Sequence, residues 1–289
     1  MWRALLCAGV LVIGSTAARA GAAADCASLS GEPAIQACDQ AIKENPNDHR
    51  AHYNRGNEYA RKGEVDRAIQ DYSRSIEIDP KYQRAYFNRA LMFEKKKDLE
   101  RALADYTKAR ELVPSDPQVY NNRGLIYAAR GMMDAAIADY TKAIELDPKY
   151  ATALNNRGVA HKMLKKLDHA LSDYNRAILL NPKYAIAYNN RGNVHLDRED
   201  VDSAISDYNL AIQFNAEYAS AYFNRGLAYE RKSNRERALE DFRKAASLDP
   251  ALTGATRGIA RLGATPDIEK PVADIFDDTP QSALQSLPR

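Results

Sequence analysis

The sequence predicts an all-α fold, a solenoid of stacked antiparallel helix pairs. A 34-residue segment recurs six times without a gap, starting at Ala51, Ala85, Val119, Ala153, Ala187 and Ala221. Within each half of this repeat the apolar residues are three and four positions apart, as on one face of a helix. Most repeats close with Asp-Pro or Asn-Pro, which ends a helix. Since one helix pair cannot bury its own apolar face, we expect neighbouring repeats to stack around one continuous core.

The six repeats carry small and aromatic residues at fixed positions. They span 51–84, 85–118, 119–152, 153–186, 187–220 and 221–254. The first helix has a small residue at Gly56, Ala90, Gly124, Gly158, Gly192 and Gly226. The second has Ala68, Ala102, Ala136, Ala170, Ala204 and Ala238, and an aromatic ring at Tyr72, Tyr106, Tyr140, Tyr174, Tyr208 and Phe242. Small side chains at fixed places predict close approach of the two helices.

The segments on either side of the repeats differ from them. Residues 26–50 match only the second half of a repeat, so we expect an N-terminal half-repeat cap over residues 21–50. Residues 255–262 are interpreted as a capping helix, because array ends need a polar outer face. Residues 263–289, with four prolines, predict a flexible acidic tail. A short linear motif at Ile275-Phe276 is the alternative for the tail.

The first twenty residues have the features of a secretory signal peptide. Arg3 precedes an apolar stretch, Ala4 to Ile13, and Ala18-Arg19-Ala20 forms a small-x-small cleavage site. Ten apolar residues are too few to span a bilayer as a helix. We therefore expect cleavage, no stable membrane insertion afterwards, and a periplasmic or secreted protein.

The charge balance argues against a nucleic-acid partner. The formal net charge of the 289 residues is +2, and Arg3 and Arg19 account for it, so the remainder is neutral. The longest basic run is Lys95, Lys96 and Lys97, at a predicted helix end. Binding to many phosphates requires a basic stripe, which this sequence does not provide.

The repeat pattern resembles the tetratricopeptide repeat family over residues 51–254. Nearly every copy meets the family pattern of an aromatic, Gly or Ala, an aromatic, Ala, an aromatic, Ala and Pro. The departures are His52, Leu154, His161, His195 and Ala216. The resemblance implies a right-handed superhelix that binds proteins and has no catalytic activity. The signal sequence with a following cysteine pair is similar to short exported bacterial members.

The first helices carry a ladder of asparagines, which we predict to bind a peptide. Its members are Asn54, Asn88, Asn122, Asn156, Asn190 and Asn224, preceded by Tyr53, Phe87, Asn121, Asn155, Asn189 and Phe223. In the family the first helices form the concave surface, so these amides are placed to pair with the backbone of an extended peptide. The alternative is that the amides tie one repeat to the next.

A second ladder predicts structural ion pairs. Arg55, Arg89, Arg123, Arg157, Arg191 and Arg225 each precede an aspartate by sixteen residues, namely Asp71, Asp105, Asp139, Asp173, Asp207 and Asp241. Opposite charges on facing helices suggest that these pairs set the geometry within and between repeats.

The remaining candidates for chemistry are two cysteines and two histidines. In an exported chain Cys26 and Cys38, twelve residues apart, predict a disulfide; two buried thiols are the alternative. His161 and His195 fill aromatic positions of the repeat and lack the further ligands of a metal site. We expect no metal and no cofactor.

These observations rank three classes of function. The first is a non-enzymatic scaffold that binds an extended peptide or partner protein in the concave groove. The second is an assembly subunit of a cell-envelope complex that acts through its convex face or C-terminal tail. The third is an unrecognised enzyme, for which the sequence offers no phosphate-binding loop and no nucleophile elbow.

Overall fold

The computed structural model describes residues 14–263, which form fifteen α-helices and no strand. They divide into two compact units between Ser115 and Asp116. The apolar stretch of the predicted signal and the predicted tail, with Ile275-Phe276, lie outside the described residues. None of the helices between residues 14 and 263 is long and apolar enough to cross a membrane.

Unit 1 contains six helices from residue 14 onward. They are α1 (Gly14–Ser28), α2 (Glu32–Glu44), α3 (His49–Arg61), α4 (Val65–Ile78), α5 (Gln83–Lys95) and α6 (Leu99–Leu112). Consecutive helices pack as pairs, α1 with α2, α3 with α4 and α5 with α6. The predicted half-repeat cap is thus a helix pair, and the predicted cleavage point after Ala20 lies inside α1. Cys26 of α1 and Cys38 of α2 are both buried, and their Cα atoms are 4.6 Å apart, within the range for a disulfide.

Unit 2 contains nine helices among the described residues. They are α7 (Pro117–Ala129), α8 (Met133–Leu146), α9 (Ala151–Met163), α10 (Leu167–Leu180), α11 (Ala185–Asp197), α12 (Val201–Phe214), α13 (Ala219–Arg231), α14 (Arg235–Leu248) and α15 (Thr253–Gly263). The first eight form four pairs, and the first helices α7, α9, α11 and α13 also contact one another in sequence. The predicted capping helix lies within α15, which packs against α14.

Helix ends are fixed by caps and by left-handed residues. The side chain of Asp116, for example, accepts a hydrogen bond from the backbone N–H of Gln118 and caps α7. The residue two positions after each first helix of the six repeats has a positive φ, at Gly63, Lys97, Gly131, Lys165, Glu199 and Ser233. This conformation reverses the chain after the first helix, so the second helix runs antiparallel to it.

The core between paired helices is built from one aromatic ring and one small residue. Tyr174 of α10 is fully buried, and a Cβ added to Gly158 of α9 would lie 2.7 Å from its Cε1. The same contact recurs in unit 1, where Tyr72 packs on Gly56. The predicted close approach of the two helices is therefore a ring lying on bare backbone. The fold is an all-α helical repeat solenoid.

Candidate functional site

The asparagines of unit 2 form hydrogen bonds with one another from repeat to repeat. Asn156 Nδ2 donates to Asn121 Oδ1 at 3.0 Å, and Asn190 Nδ2 donates to Asn155 Oδ1 at 3.0 Å. Within a repeat, Asn121 Nδ2 donates to Asn122 Oδ1 at 3.0 Å. The same pairing continues from Asn224 to Asn189, at 2.9 Å. We call these seven asparagines the amide relay of unit 2.

Most of the amide relay is buried. Asn121 and Asn155 are 0% exposed, and Asn156 is 1% exposed. Asn122, Asn189 and Asn190 are also buried, and Asn224 is half-buried. Buried amides need partners, and here they find them in the neighbouring repeat. The geometry is that of the structural alternative, in which amides tie repeats together; a role in peptide binding stays a prediction.

Unit 1 has a smaller version of this arrangement. Asn88 Nδ2 donates to Tyr53 OH at 3.0 Å and to Asn57 Oδ1 at 2.8 Å, so two first helices are again joined. Tyr53 also packs edge-on against Tyr82, with ring centroids 5.1 Å apart. Asn54, the first asparagine of the predicted ladder, is half-buried.

The two phenylalanines of the predicted site also pack within the fold. Phe87 lies edge-on to Tyr106, with centroids 5.6 Å apart. Phe223 lies 5.8 Å from Phe242 and is covered by α15, where a Cβ added to Gly254 would be 2.8 Å from its ring. Both are half-buried, so little of either ring faces solvent.

All six predicted arginine–aspartate pairs are present. Nε and Nη2 of each arginine donate to the two carboxylate oxygens of its aspartate at 2.6–2.9 Å. In five of them Nη1 reaches back to the second helix of the preceding pair, at Asp39, Ser73, Thr141, Asn175 and Asn209. A single guanidinium therefore joins two helix pairs.

Burial and pairing act in opposite directions on these carboxylates. Burial raises the pKa of Asp241, and its hydrogen bond to Arg225 only partly offsets this. At Asp71 burial is outweighed by the hydrogen bonds from Arg55 together with the nearby His52 ring, and the pKa of Asp71 is lowered. His52 distinguishes the two sites, because its Nδ1 lies 3.6 Å from Asp71 Oδ1.

His161 and His195 occupy the position of the ring that elsewhere lies against the arginine. In unit 2 the Arg123 guanidinium lies 5.6 Å from the Tyr127 ring centroid. His161 Nε2 instead lies 3.9 Å from Asp173, and His195 Nε2 lies 3.8 Å from Asp207. Burial lowers the pKa of His161, which favours the neutral imidazole. Within residues 14–263 no group of three or more His, Cys, Asp or Glu side chains is placed to hold a metal ion.

Two features of the repeats are not anticipated by sequence analysis. One is a set of outer ion pairs between consecutive helix pairs, such as Lys96 with Asp66 at 2.6 Å and Lys232 with Asp202 at 2.5 Å. Their thirty-residue spacing is a regular signal that the sequence does contain. The other is the hydroxyl of the core tyrosines, which has a partner in some repeats and none in others.

The stacked helix pairs and their repeating contacts define a class of protein, the helical-repeat scaffold that binds other proteins. Residues 92–131, 124–165 and 192–233 match the family model described as TPR repeat, and residues 49–82, 151–184 and 219–252 match the Tetratricopeptide repeat model. Since these matches cover more than half of the chain, it belongs to the tetratricopeptide repeat family.

Several solved structures are similar to this chain. A tetratricopeptide repeat protein from Parabacteroides merdae ATCC 43184 matches with a TM-score of 0.64 and 22% identity, over 80% of this chain and 92% of that one. The APC/C hetero-tetramer Cut9-Hcn1 matches with a TM-score of 0.68 and 18% identity over 80% of this chain. The match covers 48% of the matched chain in that structure, so this chain spans about half of that chain's length. These two likenesses show the fold alone.

YrrB, described as a TPR protein with an unusual peptide-binding site, has a TM-score of 0.50 and 28% identity, over 64% of this chain and 96% of its own. A comparison with functionally curated proteins gives no match.

Proposed function

We propose that unit 2 binds an extended polypeptide segment along the surface formed by α7, α9, α11 and α13, called here the first-helix face. The observation that carries the proposal is the row Asn122, Asn156, Asn190 and Asn224, one amide from each helix. An amide has a donor and an acceptor, so it can pair with the backbone of any sequence. An amide oxygen has two lone pairs, so a peptide N–H can bind the second one while the relay bond, such as that from Asn156 to Asn121, stays in place.

Two ion pairs that involve residues of this face support an uncharged ligand segment. Lys162 Nζ lies 3.4 Å from Asp197 Oδ2, and Arg261 donates to both oxygens of Glu230 at 2.6 and 2.8 Å. These four side chains therefore balance one another. The similarity to YrrB, itself described as having a peptide-binding site, supports the same class of ligand.

A displayed library of random dodecapeptides, selected on the full chain, tests the proposal. We expect selected peptides to lose affinity for the double variant Asn156→Ala/Asn190→Ala. The matched control is Asn175→Ala/Asn209→Ala. These two amides lie on second helices and accept hydrogen bonds from Arg191 and Arg225 of the following repeats. Selection of no peptide, or equal loss in both variants, would argue against the first-helix face. Peptides recovered unmodified after binding agree with a scaffold that has no catalytic activity.

Assembly through the second helices is the second candidate. Leu179, near the end of α10, is 79% exposed, whereas the equivalent residues of the other repeats are Glu, Gln or Ser. If Leu179→Glu abolishes partner capture while Asn156→Ala/Asn190→Ala retains it, this candidate takes first place.

The setting that we propose is outside the cytoplasm, with Cys26 and Cys38 joined by a disulfide. The leader-like first twenty residues and the buried cysteine pair support it. Cell fractionation with N-terminal sequencing tests the export. A mature chain that remains in the cytoplasm with its first twenty residues attached would refute it.

A further inference from the structure

Five of the six core aromatic rings are tyrosines, and three of their hydroxyls have partners on a first helix. Tyr72 OH donates to Asn57 Oδ1 at 2.9 Å, and Tyr208 OH donates to Asn193 Oδ1 at 2.8 Å. Tyr106 OH donates to Glu94. In that repeat the residue equivalent to Asn57 is Leu91, and Glu94 lies one helical turn after it. The first helix thus offers two positions from which an acceptor reaches the hydroxyl.

Tyr140 and Tyr174, in consecutive repeats of unit 2, have no such partner. Both side chains are 0% exposed, and neither hydroxyl has a hydrogen-bond partner. The acceptor positions hold Leu125 and Ala128 in the first case. In the second they hold Val159 and Lys162, a hydrocarbon and a cation.

These two hydroxyls are not needed for packing. In the last repeat the same position is Phe242, fully buried against Gly226, so a ring without a hydroxyl fills the slot. A buried hydroxyl that lacks a partner destabilises the folded state, because the hydrogen bonds it made to water are not replaced. Tyrosine at positions 140 and 174 therefore costs stability in the free protein, and a ligand that accepts from the hydroxyls would recover it.

The repeat register places the two hydroxyls beside the amide relay. In unit 1 Asn57 Oδ1 accepts from both Tyr72 OH and Asn88 Nδ2, so the core hydroxyl and the next amide of the ladder meet at one point. The residues equivalent to Asn88 are Asn156 for Tyr140 and Asn190 for Tyr174.

Met163 is half-buried at the end of α9 and packs against the core clusters of both Tyr140 and Tyr174. An unbranched thioether side chain changes rotamer readily.

We propose that the hydroxyls of Tyr140 and Tyr174 are ligand-binding groups that donate to two carbonyl oxygens of an uncharged peptide segment in polyproline II conformation, with Met163 moving aside. The inference deepens the proposed function and rests on it. Packed helices lie about 8–10 Å apart, and one turn of polyproline II advances three residues over about 9 Å. Carbonyls three residues apart on such a segment point the same way, at about the spacing of successive repeats.

The test uses peptides selected on the full chain from the displayed dodecapeptide library. We expect them to be enriched in proline and depleted in charged residues. We expect the double variant Tyr140→Phe/Tyr174→Phe to bind them about tenfold more weakly, since two hydrogen bonds are lost. The same variant should unfold at an equal or higher denaturant concentration than the wild type.

Tyr208→Phe is the matched control, because its hydroxyl is satisfied by Asn193 inside the protein; it should keep full affinity. Equal affinity of the wild type and the double variant, for peptides that Asn156→Ala/Asn190→Ala no longer binds, overturns the inference and leaves the proposed function standing. Failure to select any peptide overturns both.

Discussion

Asn156 donates its amide hydrogen to Asn121 across the boundary between two repeats, at 3.0 Å and with both side chains buried. The two residues are 35 positions apart, one more than the repeat length, so the bond joins unlike positions of successive repeats. Replacement of a ladder residue therefore affects stability as well as any ligand.

Asn156→Ala should lower the free energy of unfolding by about 1–3 kcal/mol, because the buried Asn121 Oδ1 loses its donor from the next repeat. Chemical denaturation measures the change. Asn175→Ala, at an exposed amide that accepts from Arg191, is expected to cost less. Equal losses would mean that burial of the relay does not determine its contribution.

Asp139→Ala should destabilise the protein by about 3–5 kcal/mol, because Arg123 then becomes a buried charge without its carboxylate. The control is Glu145→Ala, which breaks the exposed pair with Lys142 and should cost at most about 1 kcal/mol. An unchanged melting temperature for Asp139→Ala would show that the arginine–aspartate pairs do not stabilise the repeats.

The stability of the protein should fall with acid partly through His161. Burial lowers its pKa below the ordinary value of 6.5, so the unfolded chain binds the proton first. Asp173 opposes the shift, whereas Arg157, His169 and Lys166 reinforce it. The contribution is complete above pH 6.5 and is lost as the pH falls toward the lowered pKa, at up to about 1.4 kcal/mol per pH unit.

His161→Tyr isolates this contribution, since Tyr127 fills the equivalent position one repeat earlier. The unfolding free energies of variant and wild type are compared from pH 8 to pH 5 in about half-unit steps. The difference should grow in favour of the variant below the ordinary histidine pKa. Parallel pH profiles would show that His161 does not titrate differently in the folded state.

Replacing both Cys26 and Cys38 by alanine should lower stability by about 2–4 kcal/mol if they are joined as proposed, with the loss concentrated in α1. Between Gly21 and Ser28 the only buried residue is Cys26, so apolar packing holds this part of α1 weakly. Hydrogen exchange of residues 21–28 should rise in the variant while that of α7–α14 is unchanged. Alkylation of both thiols without prior reduction would show that no disulfide forms.

The helices and the pairs within a repeat could be predicted from sequence because they depend on spacings inside one 34-residue unit. The Arg123–Asp139 pair is an example, since two antiparallel helices joined by a short turn leave little freedom in which positions face each other. The repeat pattern also placed the asparagines on the first helices, where the structure has them.

Contacts between repeats could not be predicted in this way. The rotation from one helix pair to the next decides whether Asn156 meets a ligand or Asn121, and a repeat period does not determine that rotation. The burial of the amides depends on it as well. The thirty-residue pairs such as Lys96–Asp66 follow from the same rotation.

In five of the six arginine–aspartate pairs, the third nitrogen of the arginine has a consequence for cooperativity. In unit 2, Arg157 holds its own Asp173 with two nitrogens and Thr141 of the preceding pair with the third. Loss of one pair of helices therefore removes a contact from its neighbour, which raises the nearest-neighbour coupling of a linear array relative to the stability of each repeat. In denaturant, α7 to α14 should unfold in one cooperative transition rather than repeat by repeat from one end.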